Sequence, residues 1–531
     1  MKRRIRYMAL LLVLCMLALT GCAQPRDTMT LRVCLDAAPA TLDPAMASSD
    51  AERTVVAHLF ENLMKLSRGE DGGIQPVYAA AKSYTVEDNL DGTETYTFTL
   101  REDAKWYHNN LEQAPFALTA HDFVYAWQRL ADPATGSPHA ALLDMVAGFD
   151  QVQAEQDGSL LQVSAPDDFT FVVKLSYKCA YFLTDVCAGT ATMPVRSDAA
   201  EREDWSLHSE TLLTDGPYRA TGWDETGLTA QAADGYYDAR RLGPDVLEFR
   251  FETDGQARAD LLSGGDVDFA MNLPEGDTSD PYPQTTLLLL NQRTGSLESE
   301  SLRRALALAI DRNALTEGQP LDPAQGIVPP GLRNTMGGDF RQGSGSLIDN
   351  EPDNYETLCQ QARTLLEEAG GVKAAGQITL LYDSTDETAA RTAAAVQDAW
   401  KKKLGLIAIL RGATAQELAD TLNQGEFMVA LTTVTADRGD ASGLLSLWES
   451  GNGYFYSTAY DMLLRAADAS GHVEVRDAYL EDAEAMLVED GWVIPLYYVH
   501  RHSGLAQQLT APLYDGTGVY RFSAVVRQTP Q

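Results

Sequence analysis

A chain of 531 residues with 45% apolar content exceeds the roughly 250–300 residues at which one core stops growing, so two or three lobes are expected. Its glycine, proline and aromatic contents are those of a globular protein. The formal charge is −35, and −39 once the four cations of residues 1–21 are set aside; so acidic a chain excludes nucleic-acid binding, which needs a basic surface, and its charge serves solubility.

Lys2, Arg3, Arg4 and Arg6 form a charged leader, and Met8 to Leu19 is an apolar run of signal-peptide length, shorter than the roughly 20 residues of a membrane span. It ends in Leu19-Thr20-Gly21-Cys22, the pattern of a bacterial lipobox, with small residues at the cleavage point and a cysteine to carry the lipid. Residues 1–21 are therefore expected to leave as a lipoprotein signal peptide, Cys22 to be lipidated, and 22–28 to form a polar tether. Of the remaining cysteines, Cys34, Cys179, Cys187 and Cys359 match no metal spacing. Cys179 and Cys187 are read either as a disulfide or as two buried thiols.

Lys82–Val86 and Thr95–Leu100 flank Asp91-Gly92 and alternate apolar with polar, which predicts a hairpin with one buried face. Thr119 and Asp122 have capping-box spacing ahead of a helix through Phe123, Trp127 and Leu130 that stops before Pro133. The run 337–346 is rich in glycine and serine and predicts an exposed loop. Leu247, Phe249 and Phe251 predict a strand, and Leu302, Leu306 and Ile310 a helix stripe. Further helices are expected at 356–369, through Ala393, Val396, Trp400 and Leu404, and at 475–487. Strands are expected at 378–382, 406–410 and 493–499. No GxSxG, HExxH, Walker A or GxGxxG pattern occurs. His500 and His502 share a strand face but lack a third ligand at recognisable spacing. The reading is of a binding protein rather than an enzyme, with no metal and no cofactor.

Several segments occur in the order found in family 5 extracellular solute-binding proteins. They include Leu42-Asp43-Pro44 with 59–63, the stretch 96–106 (YTFTLREDAKW), and 119–138 (TAHDFVYAWQRLADPATGSP). Asp215-Gly216-Pro217-Tyr218, 262–268, 303–312 (RRALALAIDR), 328–331 and 494–498 (IPLYY) follow. The chain resembles the oligopeptide-binding branch of that family over nearly its whole length after the leader. The resemblance implies an α/β fold of the type II periplasmic-binding-protein class, with two large lobes joined by hinge strands plus an extra lobe. Lobe I would comprise 29–60, 195–287 and 499–531, the extra lobe 61–194 and lobe III 288–498.

The resemblance also implies function: an extracytoplasmic receptor, lipid-anchored to the cell membrane, that delivers oligopeptides to the permease and ATPase subunits of an ABC importer, acting as a monomer. The alternative is a receptor of the same fold for signalling peptides or another small solute. A receptor for many sequences holds the peptide main chain and must pair its buried ammonium with a carboxylate. The family's acidic motif maps onto 434–441 (VTADRGDA), which makes Asp437 the candidate for the ammonium. Val434 and Arg438 stand in that motif where the family has Trp and Tyr, and Thr433 and Thr435 would offer backbone pairing. Ser48, Ser49 and Asp50 match the facing segment, and His139 falls where the family often has a Tyr.

Overall fold

In the computed structural model, residues 28–528 are described except 71, 90, 109–114, 277, 451–453 and 471. The leader, Cys22 and the tether up to residue 27 lie outside them. The frame is one mixed sheet. Its strand order is Tyr218–Trp223, Gly227–Ala232, Val246–Phe251, Thr30–Leu35, Phe269–Leu273, Val493–Leu505, Thr278–Leu290, Val429–Thr435, Ile378–Asp383 and Ala408–Ala413, with Leu321–Pro323 added beside Val493–Leu505. Two strands of 13 residues, Thr278–Leu290 and Val493–Leu505, run antiparallel through its middle and belong to both halves.

That central ladder is interrupted. Its register shifts between Pro281 and Thr285 and again between Thr286 and Leu287. Pro281, Pro283 and Pro495 have no N–H to donate, so the interruptions fall where proline removes rungs. Beyond them Leu287–Leu290 is an unbroken apolar run. Leu287 and Leu289 enter one core cluster, Leu288 and Leu290 another on the opposite face, as a strand covered on both sides requires. A third and larger cluster joins residues 31–271 with 509–525.

The expected hairpin forms as Ala81–Asp88 and Glu94–Leu100, with Val86 opposite Tyr96. The helix after Thr119 spans Ala120–Ala131. The Asp122 carboxylate turns back to accept from Thr119 N at 2.8 Å and also from Trp106 Nε1 at 3.1 Å. Phe123, Trp127 and Leu130 are fully buried. The late helix spans Val473–Glu489. Cys34, Cys179, Cys187 and Cys359 are all free and buried.

Three expectations need correction. The run 337–346 is not an exposed loop throughout: Phe340–Ser344 is a helix capped by Asp339, and Phe340 and Arg341 are buried. Its glycines hid an anchor, because the Arg341 guanidinium pairs with Glu484, which is 0% exposed and also accepts from Ile327 N at 2.6 Å and Val328 N at 2.8 Å. The strand expected at 406–410 runs Ala408–Ala413, set by its parallel register on Ile378–Asp383. The strand expected to stop at 499 continues to Leu505, because its polar end pairs with Thr278–Pro281 and Phe269–Leu273.

Since Glu484 is the only carboxylate paired with Arg341 among the described residues, Glu484→Ala leaves a buried guanidinium without its counter-charge, held only by the Val328 and Gly345 carbonyls, and two N–H groups unsatisfied. A loss of about 3–5 kcal/mol is expected, measured by urea unfolding, and Arg341→Met in the same background should recover part of it.

Candidate functional site

Strand Val429–Thr435 is paired along its whole length with residues 284–290. Among the described residues its other edge is paired only at Val429 and Ala430, with Leu380 and Leu381. From Leu431 to Thr435 no described strand pairs with that second edge, which leaves N–H and C=O groups to take an added one. The strand ends where Ala436 N donates to Pro283 O at 2.9 Å, and the chain turns through 437–441 into the molecule.

This turn is held by Arg333. Its main chain brackets the turn: Arg333 N donates to Gly439 O at 2.7 Å, and Ala441 N donates to Arg333 O at 3.0 Å. Its guanidinium reaches outward, donating to Asp515 O at 2.8 Å and to Asp185 Oδ1 at 2.6 Å. Asp185 Oδ1 also accepts from Gly439 N at 2.6 Å. Gly439 is required because a Cβ there would run into the Arg333 guanidinium. Beside it, Arg438 lies 4.4 Å over the Tyr181 ring and donates to Tyr181 Oη at 3.0 Å and Ser446 Oγ at 3.2 Å. Asp440 takes two bonds from Arg476, at 3.0 and 2.8 Å.

A cavity of about 80 Å³ lies between these groups and the facing wall, lined by Arg53, His139, Asp185, Arg333, Asp437 and Asp515 among others. Of the residues expected here, Asp437, Arg438 and His139 line it. Asp437 is 47% exposed and 3.3 Å from Arg438 Nε. His139 bonds Ala47 O at 2.8 Å, and its burial lowers its pKa. Asp50 stands behind the wall, paired with Arg53 at 2.6 Å and touching the position a Cβ on Gly518 would need. Ser49 caps the helix Asp50–Leu59, and Ser48 N donates to Glu52 at 2.9 Å. Thr433 Oγ1 bonds Thr286 Oγ1 at 2.8 Å, and Thr435 Oγ1 accepts from Gln284 at 3.0 Å; both threonines, like Val434, sit on the strand with the open edge. Arg53, Asp185, Arg333 and Asp515 were missed. Their partners lie 148 to 182 positions away for Arg333, beyond any sequence spacing rule.

Asp144, Asp185, Asp437, Asp440 and Asp468 interact with Arg333, Arg438 and Arg476. The cavity lining itself carries Arg53, Arg333, Arg438 and Arg521 beside Asp185, Asp437 and Asp515. Burial raises the pKa of Asp437 and Asp144, with Arg438 opposing the rise in each case. Asp468 is pushed up to about 6 by burial, against the pull of Arg476 and Arg438. Asp440 is the exception: burial opposes its ionisation, but the two-pronged Arg476 contact holds it below the usual range.

Elsewhere His500 lies 3.0 Å from Ser279 Oγ and 2.7 Å from Asp322, tying the end of one central strand to two neighbours. Among the described residues no cluster of three metal-ligating side chains forms, and no helix is long and apolar enough to cross a membrane.

A sheet shared by two halves, interrupted strands between them and a charged cleft beside the crossing are the features of an extracytoplasmic solute receptor. The profile of bacterial extracellular solute-binding proteins, family 5, matches residues 75–456, and the chain belongs to that family, whose members are binding proteins. It is 31% identical over 492 residues to the periplasmic murein peptide-binding protein MppA of Escherichia coli, covering 86% of each chain. It is 26% identical over 533 residues to the oligopeptide-binding protein OppA of Bacillus subtilis, covering 94% of this chain and 93% of that one. The solved structure of MppA in its unliganded open form superposes with a TM-score of 0.78 at 26% identity, over 94% of this chain and 98% of that one. The fold is thus of the type II periplasmic-binding-protein class.

Asp468 supplies a test of the burial of these carboxylates. Its folded pKa exceeds its ordinary value, so its ionised form costs stability at pH above about 6 and costs nothing below about 4. Asp468→Asn should raise Tm at pH 7.5 and leave it unchanged at pH 4, followed by calorimetry across that range.

Proposed function

We propose that this chain is the substrate-binding subunit of an ABC importer that captures oligopeptides in the cleft and hands them to permease and ATPase subunits. The observation that carries this is the pairing of two features in one cleft: an unpaired strand edge at 431–435 and, at its end, the half-exposed carboxylate of Asp437 lining the cavity. A peptide backbone adds to the edge as a further strand without its side chains being read. Its ammonium pairs with Asp437, the carboxylate left half-exposed to the cavity. Arg438 fixes Asp437 from one side and leaves it 47% exposed on the other.

Closure is a rotation of the halves about the two central strands. The boundaries that the family resemblance implies, lobe I (29–60, 195–287, 499–531), the extra lobe (61–194) and lobe III (288–498), put one division beside the register shift at Thr286/Leu287. The enclosed space of about 80 Å³ holds a few waters, so a peptide enters with the walls apart and the Arg333–Asp185 contact adjusts around it. Binding and release are the whole task; the chain performs no catalysis and needs no cofactor. It works as a monomer outside the cytoplasm, held to the membrane by a lipid on Cys22. The relatives named for peptide binding support this reading.

Short peptides with a free amino end should bind near micromolar affinity, about −8 kcal/mol. Asp437→Asn, and separately N-acetylation of the peptide, should each weaken binding by at least about tenfold, the loss expected when one partner of a desolvated charge pair is removed. Titration calorimetry reads both, and unchanged affinity in the two cases removes Asp437 from the mechanism.

A further inference from the structure

A second and larger cavity, of about 470 Å³, opens between helix Glu300–Leu308, the 347–351 loop, helix Tyr355–Glu368 and residues 488–495. It shares no lining residue with the cleft. Leu308, Ile348, Leu358, Val488 and Ile494 give it apolar walls. Arg312, only 6% exposed, lines it as well.

Arg312 differs from the other deeply buried arginines. Arg258 donates four bonds to carbonyls and Arg303 three. Arg341, Arg333 and Arg476 each hold a carboxylate. Arg312 makes a single bond, from Nε to Pro495 O at 2.7 Å. Among the described residues its terminal nitrogens have neither a hydrogen-bond acceptor nor a carboxylate within 4.0 Å, yet they are not sealed from solvent. Asp311 acts on it only from beyond 4.0 Å; a buried cation with no carboxylate in contact is costly, and a planar fork with free N–H groups fits a carboxylate in two-pronged fashion. Burial lowers the Arg312 pKa to about 10, which leaves it charged at neutral pH.

The other charges of the cavity define the rest of the guest. Glu300, Asp311, Asp349, Glu351, Glu489 and Asp490 also line it, with one further cation, Arg304, which is paired with Glu300 at 3.3 Å. So many acids repel a phosphate ester or dicarboxylate. They suit a molecule with one carboxylate, an apolar body and a cationic far end.

We propose that this cavity is a second ligand site, which takes a short apolar peptide by its C-terminal carboxylate on Arg312, with its side chains on the apolar wall and its ammonium toward the acids. The site stands apart from the cleft and does not depend on the function proposed for it.

The test is titration calorimetry of leucyl-leucine and leucyl-leucinamide into full-length protein, in an Asp437→Asn background that weakens the cleft. Leu358→Trp fills the cavity and keeps Arg312 intact, so it separates occupancy from any folding defect of Arg312→Gln. The expected result is binding of leucyl-leucine that falls at least about tenfold in Leu358→Trp, and equally when the carboxylate is amidated. Wild-type affinity in Leu358→Trp, equal affinity for the amide, or no binding of leucyl-leucine in the Asp437→Asn background overturns the proposal.

Discussion

The guanidinium of Arg333 is the joint on which the cleft depends. One side chain bonds a carboxylate at Asp185 and a carbonyl at Asp515, while its own backbone clamps the turn that presents Asp437. Three stretches of chain remote in sequence are brought to one point, and the residue beside it must be glycine because the guanidinium fills the space of a Cβ. A bare charge at 5% exposure would be unaffordable; held by two acceptors, it sets the position of every group around it.

Around this joint the acids differ in their environments. Asp440 is satisfied by Arg476 and Asp185 by Arg333. Asp437, Asp144 and Asp468 are left with raised pKa values. In the function proposed, Asp437 takes the ligand's cation, and the strand edge next to it supplies main-chain partners. Affinity would then come from features every peptide has, while side chains meet solvent-filled space. In that proposal the interrupted ladder between the crossing strands is the place of opening, where prolines have removed rungs that would resist bending.

Much of the frame was legible in the sequence, for local reasons. The hairpin at 81–100 and the helix from Ala120 announce themselves by alternation and capping chemistry, both of which act over a few residues. The position of Asp437 came from a motif. What the sequence withheld was non-local. Arg341 sits in a glycine-rich run that reads as loop until Glu484, 143 residues away, is placed beside it. Arg333 has no periodic or motif signal, because its role arises only when Asp185 and Asp515 meet in space. Ser49 illustrates the converse: its place in a matched segment suggested ligand contact, while its oxygen accepts from Glu52 N as a helix cap, a role that the spacing from Ser49 to Glu52 already encoded.

What the account claims at its centre is that a charged inner wall and an open strand edge together select peptides. The most direct measurement is the identity of the small molecules released when protein purified from its native cells under mild conditions is denatured and the filtrate analysed by mass spectrometry. The account predicts short peptides with free amino ends, of mixed sequence and near one per chain. A filtrate holding instead a single non-peptide solute, such as a sugar or a metal chelate, would contradict it.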